Sequence, residues 1–245
     1  KMVDLIMLTA PVAVFALLAN VVVSSGDPDL LLALLKYSGV VVLGLVLMIV
    51  FYCVVVSVFT RYNPFSFLSR ISPAQLLAFS TSSSAATLPV TMERVEEHIG
   101  VDKEVSSFVL PVGATINMDG TSLYQGVAAV FISQALGFEL SLAGQLTIIL
   151  TALLASIGSA AVPGAGMVML VIVLESINFP SDKLAIGLAL IFAVDRPLDM
   201  LRTVVNVTGD ATVSMLVAKS VGKLGTPKVQ NWDDHLDEVT HRDKK

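Results

Sequence analysis

Residues 195–210 read DRPLDMLRTVVNVTGD, and they end a segment that is otherwise built for an apolar surrounding. Asp199, Thr203, Asn206 and Asp210 recur at spacings of four, three and four. On an α-helix these spacings make one continuous face, with Arg202 beside it. A charged side chain at the centre of a bilayer costs about 2.5–3.5 kcal/mol, so several on one face persist only where a cavity, an ion or a substrate compensates them. The stripe is the leading candidate for a binding site, and it points to a polytopic membrane protein made of helices.

The composition agrees. Of 245 residues, 55% are hydrophobic and 14% charged, where a soluble globular chain carries about 25% charged residues. The net charge of −5 comes partly from Asp233, Asp234, Asp237, Glu238 and Asp243 near the end, outside the apolar part, and implies no nucleic-acid partner. Cys53 is the single cysteine and sits in an apolar stretch, so no internal disulfide forms and packing is its expected role. The opening KMVDLIMLTAPVAVF has neither a charged n-region nor a small-residue cleavage site, so it reads as the interior of a longer protein and not as a signal peptide.

Leu5 to Val23 and Leu30 to Phe59 are long enough to span a bilayer of ~30 Å, the first with a possible kink at Pro11 and the second tilted. The later apolar runs are broken near their middles. FSTSSSAATLP interrupts the region from Pro73 to Pro89, NMDGTS interrupts Val105 to Ala135, and SIGSAAVPGAG interrupts Leu146 to Ser176. Each remaining arm is too short to cross alone. Irregular backbone at membrane depth is tolerated only inside protein or beside a water-filled cavity, so these segments read as re-entrant hairpins or broken helices. Such an arrangement suits a transporter. Basic residues Arg61 and Arg70, and Lys219, Lys223 and Lys228, put the second loop and the C-terminus in the cytoplasm, with two hairpins preserving the parity. The polar segment from about Gly222 reads as a cytoplasmic extension, partly disordered.

Three constellations carry chemistry. Ser80 to Ser84 form a tip between half-helices whose hydroxyls and free N–H groups attract carboxylates; a flexible linker is the alternative. Asn117, Asp119 and Thr121 lie in a helix break, where a carboxylate and unwound carbonyls supply the hard oxygens of a small cation. That favours sodium over a proton relay, a self-satisfied kink being the alternative. Gly and Pro in SIGSAAVPGAG permit close backbone approach or a gate, beyond plain helix packing. In the 195–210 helix, Arg202 can hold a carboxylate bidentately and Asp199 an ammonium, against simple pairing of the two. Arg196 has three options: Asp195, Asp199 or the site itself. His98, His235 and His241 read as solvated surface residues. No nucleophile, base and orienting acid recur together, so an enzyme is not expected.

The motifs SSSAATLP, LPVGATINMDGT, SIGSAAVPGAG and LDMLRTVVNVTGD, in this order, resemble those of the glutamate transporter family, the sodium-coupled dicarboxylate and acidic amino acid symporters. The resemblance runs from residue 1 to about residue 222 and corresponds to the family's fifth helix onward, the four earlier helices lying outside the chain. It implies a helix of the trimer scaffold at 1–27 and a transport domain at 28–222. Within that domain it implies a first re-entrant hairpin at about 70–98, the broken NMDGT helix, a second hairpin at about 145–178 and a last helix at about 182–220. A polar tail follows at 223–245. It further implies an elevator mechanism, a homotrimer, the inner cell membrane, and sodium ions as coupling ions with no organic cofactor.

The substrate residues implied are Ser82, Ser84, Thr121, Val162, Gly166, Asp199, Arg202, Thr203 and Asn206. Gly113, Asn117, Asn206 and Asp210 resemble one sodium site; Thr115, Ser156, Ile157 and Ser159 a second; Asn117 and Asp119 contribute to a third. Arg202 favours aspartate or glutamate over neutral amino acids. Gln125, where proton- and potassium-exchanging members carry glutamate, resembles a prokaryotic-type, sodium-only pattern, and Asp210 again favours sodium. Ser82 stands where prokaryotic members often carry arginine. The expected function is sodium-coupled symport of L-aspartate or L-glutamate. The alternatives are a C4-dicarboxylate or proton-coupled symporter of the same family, and an anion-conducting channel.

Overall fold

The computed structural model describes residues 28–229, together with the helical positions 12 and 16. The expected first span and the tail beyond residue 229, with His235 and His241, lie outside the described residues. Among the described residues the structure is helical, with no strand beyond one isolated bridge between Val101 and Leu224.

Helix α1, Pro28–Val55, runs on through a π-helical turn, Val56–Thr60, and ends where Arg61 turns left-handed at φ 57°. Among the described residues it is the one helix long and apolar enough to cross a bilayer. Leu35, Leu43, Phe51 and Val58 on its outer side are well over half exposed, a surface suited to lipid.

Helices α2, Pro64–Thr81, and α3, Ser84–Glu93, form a packed pair. Asn63 starts α2 by accepting from the N–H groups of Phe65 and Ser66, with Pro64 at the first position where its missing N–H costs nothing. Ser82 ends it in the left-handed region at φ 51°, and the Ser83 hydroxyl caps α3 at the Ala86 N–H. The serine run is therefore a sharp joint between two helices. A π-helical turn, Arg94–Ile99, follows α3 and stops at Gly100.

Helix α4, Lys103–Ile116, is separated from α5, Asp119–Ala135, only by Asn117 and Met118. The break falls where Asn and Asp compete with the helix for backbone hydrogen bonds. Helix α6, Leu142–Ile157, and α7, Ala165–Ser176, are joined through the small-residue turn 158–164, with Gly164 left-handed at φ 78°. Last comes α8, Ser181–Ser220, 40 residues long. At 1.5 Å per residue it extends about 60 Å, and it contains Pro197 without interruption.

Helix α8 is the axis of the fold, packed by α1, α2, α4 and α5. Its polar stripe is thereby shielded by protein and does not face lipid. One apolar core joins α1, α5, α6, α7 and α8 through Tyr37, Val41, Tyr124, Ile132, Leu170 and Ile191; a second, around Phe67, Ile71, Ile99, Leu110 and Met215, holds the opposite end.

One expectation changes. His98, expected at a solvated surface, is 1% exposed, because the π-turn brings it onto Arg94, whose Nη1 lies 2.9 Å from its Nε2. The first residues of the polar extension form a strap: the Gly225 N–H donates to Gly100 O at 2.8 Å, the Lys228 N–H to Glu97 O at 2.8 Å, and the Asp102 N–H to Lys223 O at 3.1 Å. Leu224 packs against the second core, which gives this polar stretch an apolar reason to return.

Candidate functional site

The joint between α2 and α3, the turn between α6 and α7, the break between α4 and α5, and the middle of α8 converge on one pocket. Ser82, Ser84, Thr121, Val162, Gly166, Asp199, Thr203 and Asn206 all line it, as does Ser159. Arg202, the remaining member of the expected substrate set, lies just behind: a Cβ on Gly166 would stand 3.3 Å from its Cζ. The glycine leaves the guanidinium reachable at this point.

The second turn closes on the first joint and on α8. Ser83 Oγ donates to Ala161 O at 2.6 Å, and the Gly164 N–H donates to Asp199 Oδ2 at 2.9 Å. The enclosed space is about 20 Å³, on the scale of one water. Any larger ligand needs the second turn to move, which breaks its hydrogen bonds to Ser83 and to Asp199.

Charge in the pocket wall is balanced. Arg202, 1% exposed, donates to Asp199 Oδ1 through Nε at 3.0 Å and Nη2 at 2.8 Å, and its Nη2 is 3.3 Å from Asp195 Oδ1. The Tyr124 ring lies 3.9 Å from its Cζ. Its Nη1 has no hydrogen-bond partner and lies on the Gly166 side, toward the pocket. Pairing of Asp199 with Arg202 is thus present, and a donor is left over. Of the three options for Arg196, the structure takes two: Nη1 donates to Ser82 Oγ at 2.8 Å and approaches Asp199 Oδ2 at 3.6 Å. Asp195 belongs to Arg202.

Along α8 from this cluster, Asn206 ties the helix to the break. Its Oδ1 accepts from the Gly120 N–H at 2.8 Å, and its Nδ2 donates to Thr121 Oγ1 at 3.2 Å. Asn117 Nδ2 donates to Asp210 Oδ1 at 2.9 Å and lies 3.4 Å from Asn206 O. A Cβ on Gly113 would meet Asp210 Oδ1 at 2.5 Å, so only glycine admits this carboxylate against α4. Gly113, Asn117, Asn206 and Asp210 are therefore gathered, with Asp119 near by. No Lys or Arg pairs with Asp119 or Asp210 among the described residues. Two carboxylates, amide and backbone oxygens, and no basic partner among the described residues make a donor set that fits a hard cation.

The group Thr115, Ser156, Ile157 and Ser159 is less tightly drawn. It spans α4 and the end of α6, which touch, but the Thr115 and Ser156 hydroxyls each donate back into their own helix. Ser159 Oγ is buried without a partner. Gln125 Nε2 donates to Gly166 O at 3.0 Å, which links α5 to the start of α7.

Three participants were not anticipated from sequence: Tyr124 against Arg202, Asp195 as the second carboxylate on that arginine, and Tyr52, whose phenol donates to Asp119 Oδ2. Asp195 stands seven residues before Arg202, two helical turns away, a spacing that could have suggested the pair. A lone tyrosine in a long apolar helix carries no comparable signal.

The sodium:dicarboxylate symporter family model matches residues 1–220. Human excitatory amino acid transporter 1 is 45% identical over 235 residues, which are 95% of this chain and 42% of that protein. Mouse excitatory amino acid transporter 3 is 45% identical over 224 residues, covering 89% of this chain and 41% of the relative. Human excitatory amino acid transporter 2 is 43% identical over 213 residues, covering 86% and 36%. The chain spans about two-fifths of the length of these relatives. The resemblance inferred from four short motifs extends along nearly the whole chain, which belongs to the sodium:dicarboxylate symporter family.

Proposed function

We propose that the full-length protein is a secondary active transporter that carries L-aspartate or L-glutamate together with sodium. In this reading Arg202 receives the substrate's side-chain carboxylate, Asp199 its ammonium, and Ser84 and the first joint its other carboxylate, with Ser82, Thr121, Thr203 and Asn206 completing the polar wall. Val162 and Gly166 form the cover. Sodium binds at Asp210 with Gly113, Asn117 and Asn206, at Asp119 with Asn117, and at the Thr115, Ser156, Ile157 and Ser159 group.

The observation that carries the reading is the arrangement along one helix. A charge-balanced pocket at Asp199 and Arg202 is followed, about 16 Å beyond Asp199, by the buried Asp210, which has no basic partner among the described residues. A cation at Asp210 offsets the cost of that carboxylate and fixes Asn206, whose amide also shapes the pocket. Binding of one ligand then favours the other, which is coupling. The family's symport chemistry and the relatives' names support the same assignment.

The pairs α2/α3 and α6/α7 are the two re-entrant hairpins of this proposal, with residues 28–222 moving as a transport domain against a trimeric scaffold that includes 1–27. The C-terminus is cytoplasmic and the membrane is the cell membrane. Gln125 supports a sodium-only, prokaryotic-type cycle. No covalent step is involved, in keeping with a family of symporters and not of enzymes.

Transport of a C4-dicarboxylate is the second reading. It is favoured by the fact that both Asp199 oxygens are already engaged, by Arg202 and by the Gly164 N–H. Full-length protein in liposomes, with labelled aspartate or succinate and imposed sodium or proton gradients, separates the cases. Sodium-driven aspartate uptake is expected. Uptake that follows protons and ignores sodium rejects the coupling, and succinate outcompeting aspartate rejects the ammonium role.

A further inference from the structure

Helix α1 sends one polar group to the carboxylates near the helix break. Its neighbours Val50, Phe51 and Val54 are each more than half exposed, whereas Tyr52 is 5% exposed and its phenol donates to Asp119 Oδ2. A Cβ on Gly209 would lie 2.8 Å from the Tyr52 hydroxyl and 2.6 Å from Asn117 Nδ2. Three helices thus meet where Tyr52, Asp119 and Gly209 touch, and Asp210 follows Gly209 directly.

An ionised carboxylate offers about four acceptor positions. The phenol occupies one on Oδ2 and leaves the rest of Asp119 open. Being neutral, it fixes the carboxylate's orientation without cancelling its charge; a lysine or arginine here would compete with any cation. Gly209 makes the approach possible, since any side chain at that position would strike both the phenol and Asn117.

We propose that Tyr52 is a positioning residue for sodium at Asp119: it acts through the carboxylate, holding it toward the cation, and so sets sodium affinity without touching the amino acid. This rests on the sodium symport reading above. Loss of a hydrogen-bond partner behind a metal ligand typically costs about 10- to 100-fold in metal affinity.

The test uses full-length protein and two readouts, the sodium-dependent rise in melting temperature without substrate and the sodium dependence of aspartate uptake. For Tyr52→Phe, the sodium concentration giving half of the thermal shift should rise about tenfold, with unchanged aspartate half-saturation at saturating sodium. In an Asp119→Asn background, Tyr52→Phe should change the sodium response no further, because the two act as a unit. A sodium midpoint within about twofold of wild type, or an equal loss of melting temperature with and without sodium, would overturn the positioning role and leave the symport reading intact. Wild-type protein indifferent to sodium in both readouts would overturn both.

Discussion

Arg196 and Ser82, 114 residues apart in the chain, are joined by a hydrogen bond of 2.8 Å from the guanidinium to the hydroxyl. The contact ties the middle of α8 to the left-handed residue that ends α2, and the same Nη1 faces Asp199 at 3.6 Å. Arginine carried on the last helix thus reaches the first joint.

Removing this arm should therefore weaken binding and be repaired from the other side. Arg196→Ala is expected to reduce aspartate affinity roughly fivefold, about 1 kcal/mol, since the side chain is partly exposed and the bond is discounted by solvent. Ser82→Arg in the same background should recover most of the loss, measured by substrate binding at saturating sodium. Equal affinity in the Arg196→Ala protein would show that the arm is only structural.

The two duties proposed for Arg202, holding substrate and neutralising buried carboxylates, can be separated. Arg202→Cys should abolish aspartate uptake and also destabilise the fold, because Asp195 and Asp199 remain buried without their partner, a situation that costs about 3–5 kcal/mol. Adding Asp195→Asn should restore much of the melting temperature and none of the aspartate uptake. Aspartate uptake returning with stability would exclude Arg202 as the carboxylate receptor.

The different legibility of these residues has physical causes. Asp199, Thr203, Asn206 and Asp210 could be placed on one face from their spacing alone, because a helix converts sequence period directly into direction. The breaks at Asn117–Asp119 and at Pro163–Gly164 were visible because Gly, Pro, Asn and Asp oppose continuous helix locally. Tyr52 was not visible: its partner Asp119 is 67 residues away, and only the packing of α1 on α5 and α8 unites them. His98 was misread because the Arg94–Ile99 turn is π-helical, so the face that it buries cannot be read from an α-helical period. The strap at 223–229 lacks any period and depends on backbone groups, which carry no side-chain signature.

Gly113 gives a test of the Asp210 site that leaves every ligand side chain in place. In a helix, alanine is favoured over glycine by about 1 kcal/mol, so Gly113→Ala would ordinarily stabilise α4. Here the new methyl would lie 2.5 Å from Asp210 Oδ1, a short side chain already held by Asn117 and with little room to withdraw. The expected outcome is a sodium midpoint raised about tenfold or more, of the order seen when metal-site geometry is disturbed, read from sodium-dependent thermal shift. An unchanged midpoint with a higher melting temperature would mean that Asp210 is not held against α4 as a cation ligand.

The strap makes a prediction remote from the pocket. Gly100 has φ 96°, where a side chain is strained, and a Cβ there would lie 2.8 Å from both Gly225 O and the Thr226 carbonyl carbon. Backbone cannot move aside as a flexible side chain can, so Gly100→Ala must either lift the strap or distort the end of the π-turn. A cost of about 2 kcal/mol follows from the left-handed conformation and the close contact together. Hydrogen exchange should then accelerate at Gly225 and Lys228, whose N–H groups donate to Gly100 O and Glu97 O. Exchange at Gly120, held by Asn206 in the pocket, should stay unchanged. Faster exchange at Gly120 as well would mean that the strap and the pocket open as one cooperative unit, which is the alternative that this variant decides.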